Sequence, residues 1–303
     1  MRTITVFNRK GGVGKTSAAV NLAGLLANAG HKTVLVNLDA QIDPEIDLGV
    51  RDRGDQGLAL VQAAMAGIPP EPVRDVRPNL DLVCGGPRLE DLKAIITNRR
   101  LTTGDAAAAQ APLVNSLRAL AQQYTFVIID SPPGGSIMQE AALTASRWVL
   151  VPTAPDEASI SALEPLSELF LAARQLNPDL GLLGVFLFGI GATSRRVIRQ
   201  AADALSEMFE GMNDVVMTAP VDLEAPDDDR GWMVIRDVKA VAVECRARGL
   251  LVHELESLTA KPTTSVKGLA SDYEKLAREV VLRVITAEQR VIDLAAATAE
   301  VTV

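Results

Sequence analysis

The sequence predicts a doubly wound α/β fold, a mostly parallel sheet flanked by helices, and three observations point there. Short apolar runs alternate along the chain with longer segments of helical spacing, the order that builds β-then-α units. The apolar runs are rich in Val, Ile and Leu and lack polar alternation, as strands covered on both faces do. Only 3% of the 303 residues are aromatic while 48% are hydrophobic. A core of this size must therefore be aliphatic, which suits helices packed on a parallel sheet.

In chain order, residues 3–8, 32–39, 79–85, 126–130, 147–153, 182–189 and 214–218 read as strands. Residues 16–30 (TSAAVNLAGLLANAG) read as a helix ended by Gly30, and helical spacing recurs near 110–123, 157–176, 193–210 and 266–297. No repeat or linker divides the chain, so residues 1–288 are expected to form one domain. Within it, residues 218–233 are rich in proline and acid and read as an exposed loop insertion. Residues 289–303 read as a helix end or a frayed tail.

Composition narrows the class further. The net charge of −8 argues against nucleic acid on its own but is silent about local patches. Cys84 and Cys245 lie far apart with no C-x-x-C spacing, so neither a zinc or iron–sulfur site nor a disulfide framework is signalled. His31 and His253 are single and read as structural or exposed. The N-terminus enters a strand-like run without a signal-peptide pattern, and no apolar run is long enough to span a bilayer. A cytoplasmic protein is expected.

The chemistry concentrates in residues 6–30, VFNRKGGVGKTSAAVNLAGLLANAG. A glycine-rich loop between a strand and a helix places backbone N–H groups around a phosphate, and the helix aims its positive end at the same point. Gly11, Gly12 and Gly14 permit the turn and the close approach. Lys15 is expected to reach the β- and γ-phosphates and the Thr16 hydroxyl to ligate Mg²⁺. Nucleotide contacts are expected over Lys10, Gly11, Gly12, Val13, Gly14, Lys15, Thr16 and Ser17. Asp130, at the end of the run FVIID, stands where an acidic residue holds Mg²⁺ directly or through water.

The loop carries a second lysine, Lys10, and Arg9 where the usual P-loop has its first glycine. This K-G-G-x-G-K-[ST] pattern resembles the deviant Walker A loop of the ParA/MinD family of P-loop ATPases. The resemblance continues through NLDAQ, FVIIDSPPG, VPTAPDEASISAL and VKGLASDY, in the order that ParA-type partition ATPases have them. It implies ATP and ADP as ligands with Mg²⁺, and a sandwich homodimer in which Lys10 reaches the partner's nucleotide. It also implies that Asp39 orients the attacking water, with Asp43 a weaker substitute. Two departures stand beside it: Asn37 and Ala40 replace the family's first aspartate and its proline. No N-K-x-D guanine signature is present, and Asp237, in IRDVK, is a candidate base contact or a surface turn residue.

The resemblance implies two classes of surface partner. ParA relatives bind DNA without sequence preference, answer to a ParB-like protein and associate with the nucleoid; MinD relatives bind membrane through a C-terminal amphipathic helix. A third kind positions a protein cargo on the nucleoid. For DNA, Arg195, Arg196 and Arg199 start one helix, and Arg236, Lys239 and Lys267 extend the basic set. For membrane, the last helix ends acidic and alanine-rich without a Lys/Phe/Trp cluster. DNA partitioning is the expected function, without membrane binding.

Overall fold

The computed structural model describes residues 2–134, 136–191, 195–209, 215–219 and 231–301. From the N-terminus run β1 (Thr3–Val6), α1 (Lys15–Asn28), β2 (Thr33–Asn37), α2 (Asp43–Asp47), a 3-10 turn (Arg51–Arg53), α3 (Leu58–Ala66), β3 (Val73–Arg77), β4 (Leu80–Val83), α4 (Leu89–Thr103), α5 (Ala106–Ala121) and β5 (Phe126–Asp130). Then follow α6 (Ile137–Ala145), β6 (Trp148–Thr153), α7 (Glu157–Ser161), α8 (Glu164–Leu176), β7 (Gly181–Ile190), α9 (Arg195–Met208), β8 (Val234–Arg236), α10 (Lys239–Arg248), α11 (Val252–Leu258) and α12 (Thr264–Val301).

Among the described residues the strands form one eight-stranded sheet in the order β3-β4-β2-β5-β1-β6-β7-β8, antiparallel only between β3 and β4. β1, β2, β5 and β6 are buried along their whole length, as strands covered by helices on both faces must be. β1 lies between β5 and β6, so strand order reverses there and a crevice opens at its carboxyl end. The glycine-rich loop begins at that point.

The expected α/β fold is observed, with differences at its edges. The described part of the run at 214–218, residues 215–218, forms no strand; Val216 and Thr218 make isolated bridges to Val185 and Trp232. Two strands were not anticipated, β3 and the short β8. The helical segment 157–176 divides into α7 and α8, with Pro165 in the first turn of α8, where its missing N–H costs nothing. The last helix continues through Val301 rather than stopping near 297. It buries Val266, Leu269, Tyr273, Leu276, Val280 and Val284, packing on α1 and the β7–β8 side of its own domain. Residues 220–230, most of the expected acidic insertion, and the side chain of Arg195 lie outside the described residues.

Candidate functional site

The loop is held by the side chain of Asn8, two residues past the end of β1. Asn8, wholly buried, donates Nδ2–H to the Pro152 carbonyl at 2.8 Å and accepts from the Lys10 N–H at 2.9 Å. Gly12 and Gly14 have φ of 76° and 83°, in the left-handed region where a side chain is strained. A Cβ on Gly14 would lie 2.4 Å from the Phe188 ring, whereas one on Gly11 or Gly12 would meet nothing within 4 Å. The loop is therefore packed against β7 at Gly14 and open at Gly11 and Gly12.

Lys15 is 7% exposed and its Nζ donates to the Lys10 carbonyl at 2.8 Å. Burial lowers its pKa, while the charges of Asp130 and Asp39 oppose the shift. Thr16 Oγ1 donates to Asp130 Oδ2 at 2.7 Å. Asp130 is 1% exposed, and its other oxygen, Oδ1, has no hydrogen-bond partner. Burial pushes this carboxyl up to about 7, against the Thr16 hydrogen bond. A buried carboxylate oxygen without a donor, next to a hydroxyl, suits a hard divalent cation that takes oxygen ligands. Thr16 and Asp130 are the residues that could hold it.

Asp39 is half-buried and, by desolvation first, sits above the usual carboxylate range. Its N–H donates to Asn37 Oδ1 at 2.9 Å, and its Oδ1 accepts from the Gln41 N–H at 3.0 Å. β2 and β5 pair Asn37 with Asp130, which brings the Asp39 loop beside the Asp130 carboxylate. Asp43 points elsewhere, into an ion pair with Arg246 that also takes in Asp47 at 2.9 Å.

Lys10 does not project freely. Its Nζ donates to Asp156 Oδ1 at 3.1 Å and to Ser159 Oγ at 2.5 Å. Asp156 caps α7 by accepting from the Ser159 N–H and hydroxyl, and those bonds hold its carboxyl below the usual range. The role of Asp156 was not read from the sequence, although the spacing Asp-x-x-Ser at a helix start carries the signal of a cap. Glu45, 1% exposed, is a second residue the motif reading passed over.

The basic residues divide. Arg236 is committed to Asp272 through Nε–Oδ2 at 2.6 Å, Nη2–Oδ1 at 2.8 Å and its own N–H at 3.0 Å. Arg196, Arg199, Lys239 and Lys267 are exposed, and no carboxylate engages them among the described residues. Asp237 is exposed and its N–H donates to the Ile190 carbonyl, with no side-chain contact that marks it as a base reader.

A family model described as an AAA domain matches residues 1–182, which span β1 through the loop, Asp39, Asp130 and Asp156. The chain belongs to the ParA/MinD family of P-loop ATPases. It is 34% identical over 200 residues to the chromosome partitioning protein ParA of Myxococcus xanthus, a match covering 61% of this chain and 64% of that protein. It is 27% identical to the ParA of Caulobacter vibrioides over 293 residues, 93% of this chain and 95% of the relative. Among solved structures, apo McdA of Cyanothece shares the fold, with a TM-score of 0.68 at 20% identity over 93% of this chain and 99% of that one. The ParA/MinD fold thus extends past residue 182 to α12.

Proposed function

We propose that this protein is a Mg²⁺-dependent ATPase that partitions DNA. The observation that carries the reading is the arrangement of two lysines on one loop: Lys15 buried with its Nζ on the Lys10 carbonyl, next to Thr16 and its partner Asp130, and Lys10 turned away from it to Asp156 and Ser159. Bound Mg-ATP supplies the phosphoanhydride and the charge that the metal neutralises. The chain's own residues do the rest. The N–H groups of residues 11–17 cradle phosphate oxygens, Lys15 exchanges the Lys10 carbonyl for phosphate, and Asp39 orients a water for attack.

In the ATP state two copies form a face-to-face homodimer in which Lys10 leaves Asp156 and Ser159 and reaches the nucleotide of the other copy. The dimer binds DNA without sequence preference through Arg195, Arg196, Arg199, Lys239 and Lys267, as phosphate contacts acting in sum. Hydrolysis, stimulated by a ParB-like protein, removes the contact that holds the copies together. The protein then works in the cytoplasm, on the nucleoid while ATP is bound. The two ParA relatives and the unpaired basic residues support this reading over a membrane-bound one, as does the burial of one face of α12.

Retention on random-sequence DNA tests it, compared with ATP, ADP and no nucleotide over a salt series, with Lys15→Ala as control. Retention that requires ATP and Lys15 and weakens steeply with salt supports the reading. Retention in no state overturns it, and anionic liposomes become the next surface to try.

A further inference from the structure

Glu45 is a fully buried carboxylate that the nucleotide site described above does not use. It sits in α2, eight residues after Asn37, and is 1% exposed. Its Oε1 accepts the Gly85 N–H at 2.7 Å, and Asn37 Nδ2 donates to both carboxylate oxygens, at 3.0 and 3.3 Å. Asn37 Nδ2 also donates to the Gln41 carbonyl at 2.9 Å. The Asn37 Oδ1 atom is left to accept the Asp39 N–H at 2.9 Å. The Asp39 carbonyl in turn accepts from the Gly86 N–H at 2.9 Å. A Cβ on Gly85 would lie 2.4 Å from the Asn37 amide and from the Asp39 carbonyl, so residues 85–86 close over this network without room to spare.

We propose that Glu45 is a positioning residue for Asp39, acting through the amide of Asn37. An asparagine amide can face either way, and its two ends differ only in what they offer. With the Glu45 carboxylate and the Gln41 carbonyl both on one side, only the NH₂ end is satisfied there. The oxygen must then face Asp39, and the loop carrying the Asp39 carboxylate is fixed. Turned over, the amide would set its oxygen against two acceptors and its NH₂ against a donor, losing every bond it makes. An aspartate at 37 would place one carboxylate against another in a dry pocket. Asparagine at 37 and glutamate at 45 are therefore a matched pair, and the asparagine in place of the family's aspartate has a local reason. The inference rests on the reading of Asp39 as the group that orients the water.

The test compares Glu45→Gln, Asn37→Asp and the double variant in the full chain. Glu45→Gln keeps the shape and the acceptor for Gly85 but turns an NH₂ toward the Asn37 NH₂. Each single change is expected to lower kcat about 10- to 100-fold, the range for groups that orient a functional side chain. Affinity for a fluorescent ATP analogue should stay within about threefold, because Asp39 orients water and does not hold phosphate. Hydrogen exchange of residues 38–42 in the nucleotide-free protein should quicken. In the double variant the amide at 45 can donate to the carboxylate at 37, while the Gln41 carbonyl still faces a carboxylate oxygen, so its loss in kcat is expected to be smaller than the product of the two single losses. Should either single fail to fold, the other and the double still decide. Single variants with wild-type kcat and unchanged exchange overturn the proposal, as does a double variant whose losses simply multiply. Wild-type protein that binds ATP and never hydrolyses it overturns the ATPase reading itself, an outcome distinct from turnover that ignores Glu45.

Discussion

The Lys15 ammonium donates to the main-chain carbonyl of Lys10 at 2.8 Å, so the two lysines of the loop are joined within one chain. The buried Lys15 charge is thereby met by a backbone oxygen of its own loop. Lys15→Met keeps the length and removes the charge. Loss of one charge-assisted contact is expected to weaken nucleotide binding roughly 10- to 100-fold, as a loss of about 1.5–3 kcal/mol does. Titration with a fluorescent ATP analogue checks this, and unchanged affinity would mean that the phosphates lie elsewhere.

Lys10 and Asp156 give a different prediction. Lys10→Ala is expected to leave monomeric nucleotide binding nearly intact and to abolish ATP-dependent dimerisation, read by light scattering on a sizing column. Asp156→Ala frees Lys10 and removes the cap of α7, at a stability cost of roughly 0.5–2 kcal/mol. It should lower the melting temperature without lowering dimerisation. A Lys10→Ala protein that still dimerises with ATP removes the cross-subunit role.

The basic residues separate by what already holds them. Arg196→Glu and Lys267→Glu are expected to weaken DNA retention and flatten its salt dependence, by about one unit of slope per lost phosphate contact. Arg236→Ala should act on stability first, since it leaves Asp272 buried at 9% exposure without its ion pair. Denaturant melts and salt-dependent binding on the same three proteins distinguish the effects.

Asp47 makes stability depend on pH. Burial raises its carboxyl to about 6 despite the ion pair with Arg246, and neighbouring Asp43 adds to the rise. A folded pKa above the unfolded value means the folded state binds the extra proton. The favourable contribution is complete below about pH 4 and is lost as pH climbs through 6. Asp47→Asn, which cannot ionise, should therefore gain on the wild type between those values, by on the order of 2–3 kcal/mol. Urea unfolding at several pH values measures it, and a constant difference across the range would contradict the assignment.

How much of this was legible in the chain itself varies by element. β5 was readable to the residue because four apolar positions end in one acid, and that acid had to face the loop. β3 was not, since Arg74, Asp75 and Arg77 break its apolar pattern and Asp75 takes a φ of 51°. It is a strand because β4 offers an open edge, a fact of tertiary structure. Residues 214–218 show the reverse: an apolar run whose described part forms only isolated bridges. Lys15, Thr16 and Asp130 could be joined from their motifs. The contact of Lys10 with Asp156 spans 146 positions, and only the pairing of β1 with β6 closes it. Glu45 lies in QIDPEID, which reads as a solvated acidic turn until Asn37 and Gly85 are seen around it.

The place of β1 has a consequence for how the chain comes into being. Ile4 pairs with Ile128 on one side and Trp148 on the other, so β1 cannot complete its pairing until β5 and β6 have been made. Until synthesis has passed β5 and β6, Asn8 lacks the Pro152 carbonyl that seats the loop, and Thr16 lacks Asp130. Such distant closures are slow. The nascent protein would gain its hold on nucleotide abruptly once β6 is laid down, not by degrees. A series of stalled chains of increasing length, reaching from before to beyond the point at which Thr153 clears the ribosome, probed for nucleotide retention, would display that step.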